Sequence, residues 1–175
     1  MDFYQLAEKR YSCRNFDVSK PVEDEKLKII LETARLAPSA CNSQPYHFTV
    51  CRGEKAKEVS KGARSMGMNG FTENAPLIIV ISEKPYNMVA GVGSKVKHND
   101  YRSIDIGIAA AHIALSASDL GLGSCIVGAF DDRKIREIIG TDRTTRLLVA
   151  IGYEKEIREK KPKKRKSLDE LVTEK

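Results

Sequence analysis

The chain has no tryptophan, and aromatic residues make up only 6% of its 175 residues. Proteins that hold single-stranded nucleic acid by stacking need aromatics interleaved with cations, and that interleave is missing. No apolar run approaches the roughly 18 residues that span a bilayer. The N-terminal MDFYQLAEKR has no apolar h-region, so no secretory signal is expected. Cys13, Cys41, Cys51 and Cys125 form no CxxC, and His47, His98 and His112 stand at no metal-ligand spacing from them. No metal site is therefore expected; free thiols in the cytoplasm are. The one GLG follows a helical pattern instead of opening one, which argues against a GxGxxG dinucleotide fold. No internal repeat is present.

What is there suits one soluble domain. The length allows a single core, and 41% hydrophobic with 31% charged residues is ordinary for a globular protein. A net charge of +6 points to an anionic partner without choosing among phosphorylated cofactor, nucleic acid and membrane surface.

Hydrophobic periodicity divides the chain. A short helix over residues 3–9 leads into RYSCRNF (10–16). VEDEKLKIILETARLA carries Val22, Leu27, Ile30, Leu31, Ala34 and Leu36 at helical spacing, with acidic residues leading and Pro38 closing. Residues 46–51 read as a strand, EKAKEVSKGARS as a polar helix, GMNGFTENAP as a loop and LIIVIS as a buried strand. Residues 83–102 have weak periodicity and read as a surface segment with one short helix. SIDIGIAAAHIALSASDLGLG is apolar almost all round, so it predicts a helix buried on most sides, part of it against a second subunit, with Gly121 and Gly123 as its caps. SCIVGAF reads as a strand, DDRKIREIIG as a helix and TRLLVAIGY as a strand. The pattern predicts a mixed α and β domain with about four strands.

Four stretches could carry chemistry. In RYSCRNF, Arg10, Ser12 and Arg14 alternate, as guanidinium and hydroxyl donors for a phosphate monoester would; a solvated turn has the same spelling. APSACNSQPYHF (37–48) offers Asn42 and Gln44 to the edge of a heterocycle, or is a helix stop followed by an Asx turn. GLGSCIVGAF (121–130) lets a ligand approach the backbone, or is a helix cap plus strand. KKPKKRK (160–166) is a solvated charge run or a nucleic-acid tail, although SLDELV after it has the spacing of a helix that docks.

Taken in order, RYSCRNF, APSACNSQPYHF, the Ala-rich helix ending in GLGSCIVGAF, GYE and KPKKRKSLDELV resemble the nitroreductase-like flavoproteins, from end to end and as a short member. The resemblance implies an α+β fold with an antiparallel-dominated central sheet flanked by helices. It implies a core over residues 1–152 and an arm over 153–175 that crosses to the partner in a homodimer. It also implies FMN at the subunit interface. Arg10, Tyr11 and Ser12 would lie by the FMN phosphate, and Arg14 would join them or reach the pyrimidine edge. Lys163 and Arg165 match late basic residues that hold the same phosphate. Pro38, Ser39, Ala40 and Asn42 match the loop that the partner lays against the flavin. Val127 and Gly128 match backbone donors near N5 and O4, and Asn69 a polar residue at the pyrimidine edge.

The implied activity is an FMN-dependent NAD(P)H oxidoreductase. NADH or NADPH would give hydride to flavin N5 and leave, and a nitroaromatic, quinone or related conjugated acceptor would take two electrons in a ping-pong cycle. No catalytic side chain, nucleic acid or membrane is expected. Two other readings are a flavin-binding protein for sensing or storage and a small nucleic-acid-binding protein. The chain departs from the family pattern at Tyr46, where tryptophan is common, and at Ala40, where a hydroxyl is common. It also lacks the Glu-Tyr-Lys lid of the deiodinating relatives.

Overall fold

The run LIIVISE becomes the strand on which the rest is built. In the computed structural model, which describes residues 2–64, 67–156 and 163–175, β2 (Leu77–Glu83) is buried along its first six residues. It can be apolar on consecutive positions because both faces are covered. Leu77, Ile79 and Ile81 enter one core, and Ile78 and Val80 enter the other. Each such side chain contributes about 1.5–3 kcal/mol on burial.

β2 pairs antiparallel with β1 (Tyr46–Arg52) and with β4 (Thr145–Gly152), and β4 pairs antiparallel with β3 (Gly123–Val127), giving the order β1-β2-β4-β3. α2 (Asp24–Arg35) and α5 (Tyr101–Asp119) cover one face, with Leu27, Ile30, Ala34, Ile106, Ala109 and Ile113 in its core. α3 (Gly53–Ala63) and α6 (Asp132–Ile139) cover the other, through Ala56, Val59, Ala63 and Ile135. α1 (Phe3–Lys9) packs on α5 and buries none of its own residues. The fold is therefore α+β with an antiparallel sheet, as the resemblance implies, and its four strands match the number read from the pattern.

Two local expectations are corrected. Leu36 lies past the end of α2 and is 69% exposed, because the helix stops at Arg35 and turns the next residue outward. Gly121 is the left-handed residue after α5, at φ +77°, but Gly123 is no cap: it opens β3. Residues 83–102 do hold one helix, the ten-residue α4 (Met88–Lys97), and end in the first two residues of α5. Polar contacts brace the two ends of this excursion. The Tyr86 hydroxyl donates to Asp100 Oδ1 at 3.0 Å, Arg102 pairs with Asp100 at 3.0 Å, and Arg146 joins Glu83 at 2.7 Å.

Residues 12–17 close the β3 side of the sheet. Ser12 bridges Ser124 in parallel, the Cys13 amide donates to Ser124 O at 2.9 Å, and the Asp17 amide donates to Tyr153 O at 2.8 Å. The arm ends in α7 (Leu168–Leu171), whose N-terminus is capped reciprocally by Ser167 and Glu170. Leu168, Leu171 and Val172 are all exposed on this single chain.

Candidate functional site

The backbone from Arg10 to Arg14 is strand-like where it meets β3, so side chains alternate. Cys13 is fully buried, while Ser12 and Arg14 are exposed and Arg10 is half-buried. Arg10, Ser12 and Arg14 all act on the buried Cys125 thiol. Burial pushes that thiol's pKa up and the Arg14 charge pulls it down; neighbouring Cys13 raises it further, while a hydrogen bond with Ser12 and the Arg10 charge lower it. Among the described residues, neither Arg10 nor Arg14 has a carboxylate within 4.0 Å, whereas Arg52 faces Asp24, Arg64 faces Glu73 and Arg146 faces Glu83. Two guanidinium groups without carboxylate partners and a hydroxyl on one side of this segment are a donor set of the kind that suits an anion.

Other residues border this cluster. The Arg14 guanidinium carbon lies 5.7 Å from the centroid of the Phe71 ring, a cation–π contact. Two residues before Phe71, Asn69 sits in the left-handed region at φ +61°, and its amide donates to Ala63 O at 3.2 Å and Ala129 O at 2.7 Å. That second bond holds Asn69 beside the end of β3. Val127 is buried there and Gly128 is exposed, without a Cβ to keep a ligand from its backbone. From the arm, Lys163 Nζ donates to Ala7 O at 2.6 Å, at the last turn of α1 and one turn before Arg10. A cation is well placed at that helix end.

Two more residues expected by the phosphate, Tyr11 and Arg165, make other contacts within the single chain. The Tyr11 ring points the other way, as alternation demands, and lines a separate cavity with Lys20, Ser118, Tyr153 and Glu154. Burial, then hydrogen bonding to Glu154, raises its phenol pKa well above the usual range. Only its backbone remains on the anion side. Arg165 is exposed and donates to its neighbour's carbonyl, Lys164 O, at 2.7 Å. The first three residues of KKPKKRK lie outside the described residues.

The loop over residues 38–44 forms a second centre. Cys41, Asn42 and Gln44 all have positive φ, at +50°, +51° and +46°, a conformation that costs a non-glycine residue roughly 1–2 kcal/mol. Side chains hold it there. Ser39 Oγ accepts from the Gln44 amide at 3.0 Å, and Gln44 Nε2 donates to Asn42 O and Asn42 Oδ1, each at 2.9 Å. Asn87 Nδ2 donates to Cys41 O at 2.9 Å, and the Asn87 amide donates to Ser43 Oγ at 2.8 Å. Pro38 and Asn42 stay exposed; Ser39 and Ala40 are half-buried. These bonds run within the loop, to Asn87 and to α5, and none reaches Arg10, Ser12 or Arg14. Tyr46, just after the loop, stacks on Phe48 at 5.1 Å and fills the core, as expected of a residue in tryptophan's place.

The description "Nitroreductase family" belongs to the family model that this chain matches, over residues 7–67 and 57–153. The chain belongs to the nitroreductase family. The relatives include an oxygen-insensitive NADPH nitroreductase of Helicobacter acinonychis, 28% identical over 200 residues that cover 97% of this chain and 94% of that one. Among solved structures, a nitroreductase family protein of Streptococcus pneumoniae superposes with a TM-score of 0.84 at 25% identity, covering 99% of this chain and 100% of the other. An FMN-dependent nitroreductase of Clostridium difficile gives 0.75 at 33% identity, covering 93% and 92%. The nitroreductase fold is thus shared along the whole chain. Neither Phe71 beneath Arg14 nor Asn87 behind the loop was legible in sequence, because each acts across a gap of more than 40 residues; the only cue for Asn87 was a polar residue ahead of an apolar run.

Proposed function

We propose that the protein is an FMN-dependent NAD(P)H oxidoreductase working as a homodimer. The observation that carries this reading is the pair Arg10 and Arg14, left without carboxylate partners on the same side as Ser12. The donor set fits FMN. Arg10, Ser12 and Lys163 would hold the phosphate, Arg14 and Asn69 the polar ring edge, and the Val127–Gly128 backbone the N5 and O4 side. Bound there, FMN would supply the redox chemistry, a two-electron transfer through N5 from NADH or NADPH to a conjugated acceptor such as a nitroaromatic or quinone, in ping-pong order. The protein's part is to bind, orient and bias charge, with cations fixed beforehand where negative charge arrives.

A second copy supplies what one chain leaves open. Residues 38–42 make no hydrogen bond to the anion cluster, and we assign them to the partner's flavin. Phe3 and Tyr4 of α1 are more than 70% exposed, as is Leu168 of the arm, and burial of these side chains against a partner would explain their character. The core over residues 1–152 and the arm over 153–175 then belong to one exchanged unit. Among the described residues no helix is long and apolar enough to cross a membrane. The unpaired thiols of Cys13, Cys51 and Cys125 suit a reducing compartment, and we assign the enzyme to the cytoplasm.

The test is a fluorescence titration of FMN into flavin-free wild type and the Arg10→Ala/Arg14→Ala variant. Charge-assisted bonds contribute about 1.5–3 kcal/mol each, so the double variant should bind at least about 100-fold more weakly. Equal affinity would refute the assignment. Bleaching of bound flavin by NADH or NADPH within seconds separates an enzyme from a storage protein.

A further inference from the structure

The strained loop over residues 38–44 rests on a side chain that the anion cluster does not use. Asp105 lies on α5, only 3% exposed, and its Oδ1 accepts the Ala40 amide at 3.1 Å. Its Oδ2 is buried with no hydrogen-bond partner among the described residues. The Tyr46 hydroxyl, at the other end of the same loop, is likewise buried and unpartnered. It feels the carboxylate, since burial and then the Asp105 charge raise the phenol's pKa.

A protein selected for stability alone has little reason for this arrangement. A buried carboxylate is costly unless its oxygens are satisfied, and one amide could be held by a neutral acceptor. Nor would stability favour cysteine, asparagine and glutamine at three positive-φ positions where glycine fits freely. Strain held by surrounding contacts marks a segment whose shape is needed. On the reading given under Proposed function, that shape is the part of the flavin pocket lent to the partner.

We infer that Asp105 is a positioning residue. It sets the Ala40 backbone from below while Asn87 holds Cys41 O from outside, so the turn that faces the partner's flavin is formed before the flavin arrives. Asn87 also ties the turn to α4, because its Oδ1 accepts the Ala90 amide at 2.9 Å in the first turn of that helix. Preorganisation of this kind acts on the ring environment and the acceptor cleft, not on the phosphate, which the Arg10 side holds.

The experiment compares wild type with Asp105→Ala, Asp105→Leu and Asp105→Asn. Leucine keeps the volume and removes both acceptor and charge, so it serves if alanine at this buried position fails to fold. Asparagine keeps the acceptor and is the rescue variant. Hydrogen exchange measured by mass spectrometry on flavin-free protein should show residues 38–44 exchanging at least tenfold faster in the alanine or leucine variant, with β2 unchanged and asparagine close to wild type. After loading with FMN, the same loss-of-acceptor variant should shift the visible circular dichroism of the flavin. It should also raise KM for a quinone at least tenfold while the FMN Kd moves less than threefold. Unchanged exchange and an unchanged flavin spectrum would overturn the inference, as would an asparagine variant no better than leucine. Wild type is titrated with FMN first, so failure to bind flavin at all is recognised separately and overturns the functional reading itself.

Discussion

Gly123→Ala should damage both stability and flavin binding through a clash with nowhere to go. A Cβ built on Gly123 would stand 2.7 Å from Cys13 Cβ and 2.8 Å from Cys13 Sγ. Ordinary carbon–carbon contact is about 3.5–4.0 Å, so the approach is short by roughly 1 Å. Cys13 Sγ could swing away by a rotamer change, but its Cβ is set by the backbone, which is held by the Cys13 amide bond to Ser124 O. Overpacking of a core costs about 1–3 kcal/mol, and a clash between two Cβ atoms, each fixed by its backbone, belongs in the upper half of that range. For a chain of this size the loss of Tm should be about 5–10 °C, at roughly 2–4 °C per kcal/mol. The strand that must move carries Ser12 and Arg14, so FMN affinity should fall with stability. Urea melts and FMN titrations on Gly123→Ala, Cys13→Ala, Cys13→Gly and the two double variants test this. Cys13→Ala should not relieve the clash, because the Cβ contact remains; Cys13→Gly should relieve it, and the cycle should show coupling of at least about 1 kcal/mol. A Gly123→Ala protein within about 0.5 kcal/mol of wild type, the range of a neutral surface change, would refute the reasoning.

Three further outcomes follow from the same structure. A stop codon after Glu156 keeps the Tyr153 contacts but removes Leu168, Leu171 and Val172; it should yield monomer or aggregate on light scattering, and a stable dimer would refute the role of the arm. Flavin-free protein treated with iodoacetamide at pH 8 should take no rapid label at Cys13, Cys51 or Cys125, which are buried, with burial pushing the Cys51 thiol up to about 11, and Cys41, exposed on the single chain, should label first; rapid labelling of the three buried thiols would contradict that packing. Burial, then the charges of Arg143 and Lys84, hold the His47 pKa below its usual value. The unfolded chain therefore gains a proton first as pH falls below about 6.5, and stability declines from there. His47→Gln should flatten that first decline in a Tm series. It should leave the acid loss that begins at about pH 4, where the unfolded chain's carboxylates take up protons while the folded Asp17, Glu23 and Glu54 are still held ionised by their hydrogen-bond and cationic partners.

Local pattern was enough for β2, α2 and α6, since each buries residues at the period its sequence displays. Alternation in RYSCR was legible too, and it separates Arg10, Ser12 and Arg14 from Tyr11 and Cys13 once the segment is known to lie on β3. α4 was hard to read as a ten-residue helix because Gly91 and Gly93 interrupt it and its apolar residues, Met88, Val89, Val92 and Val96, face outward. Its ends are braced by Tyr86, Asp100, Arg102, Glu83 and Arg146, which meet across up to 63 residues of chain. By itself, then, the order of residues determined the elements, the two-sided burial of the sheet and the cationic character of the RYSCR segment, because those depend on neighbours within a few positions. Only tertiary structure decided which cations stay unpaired, which way each side chain points and what holds the 38–44 turn in a strained form. Those depend on contacts such as Asp105 with Ala40, made between segments that no local spacing relates.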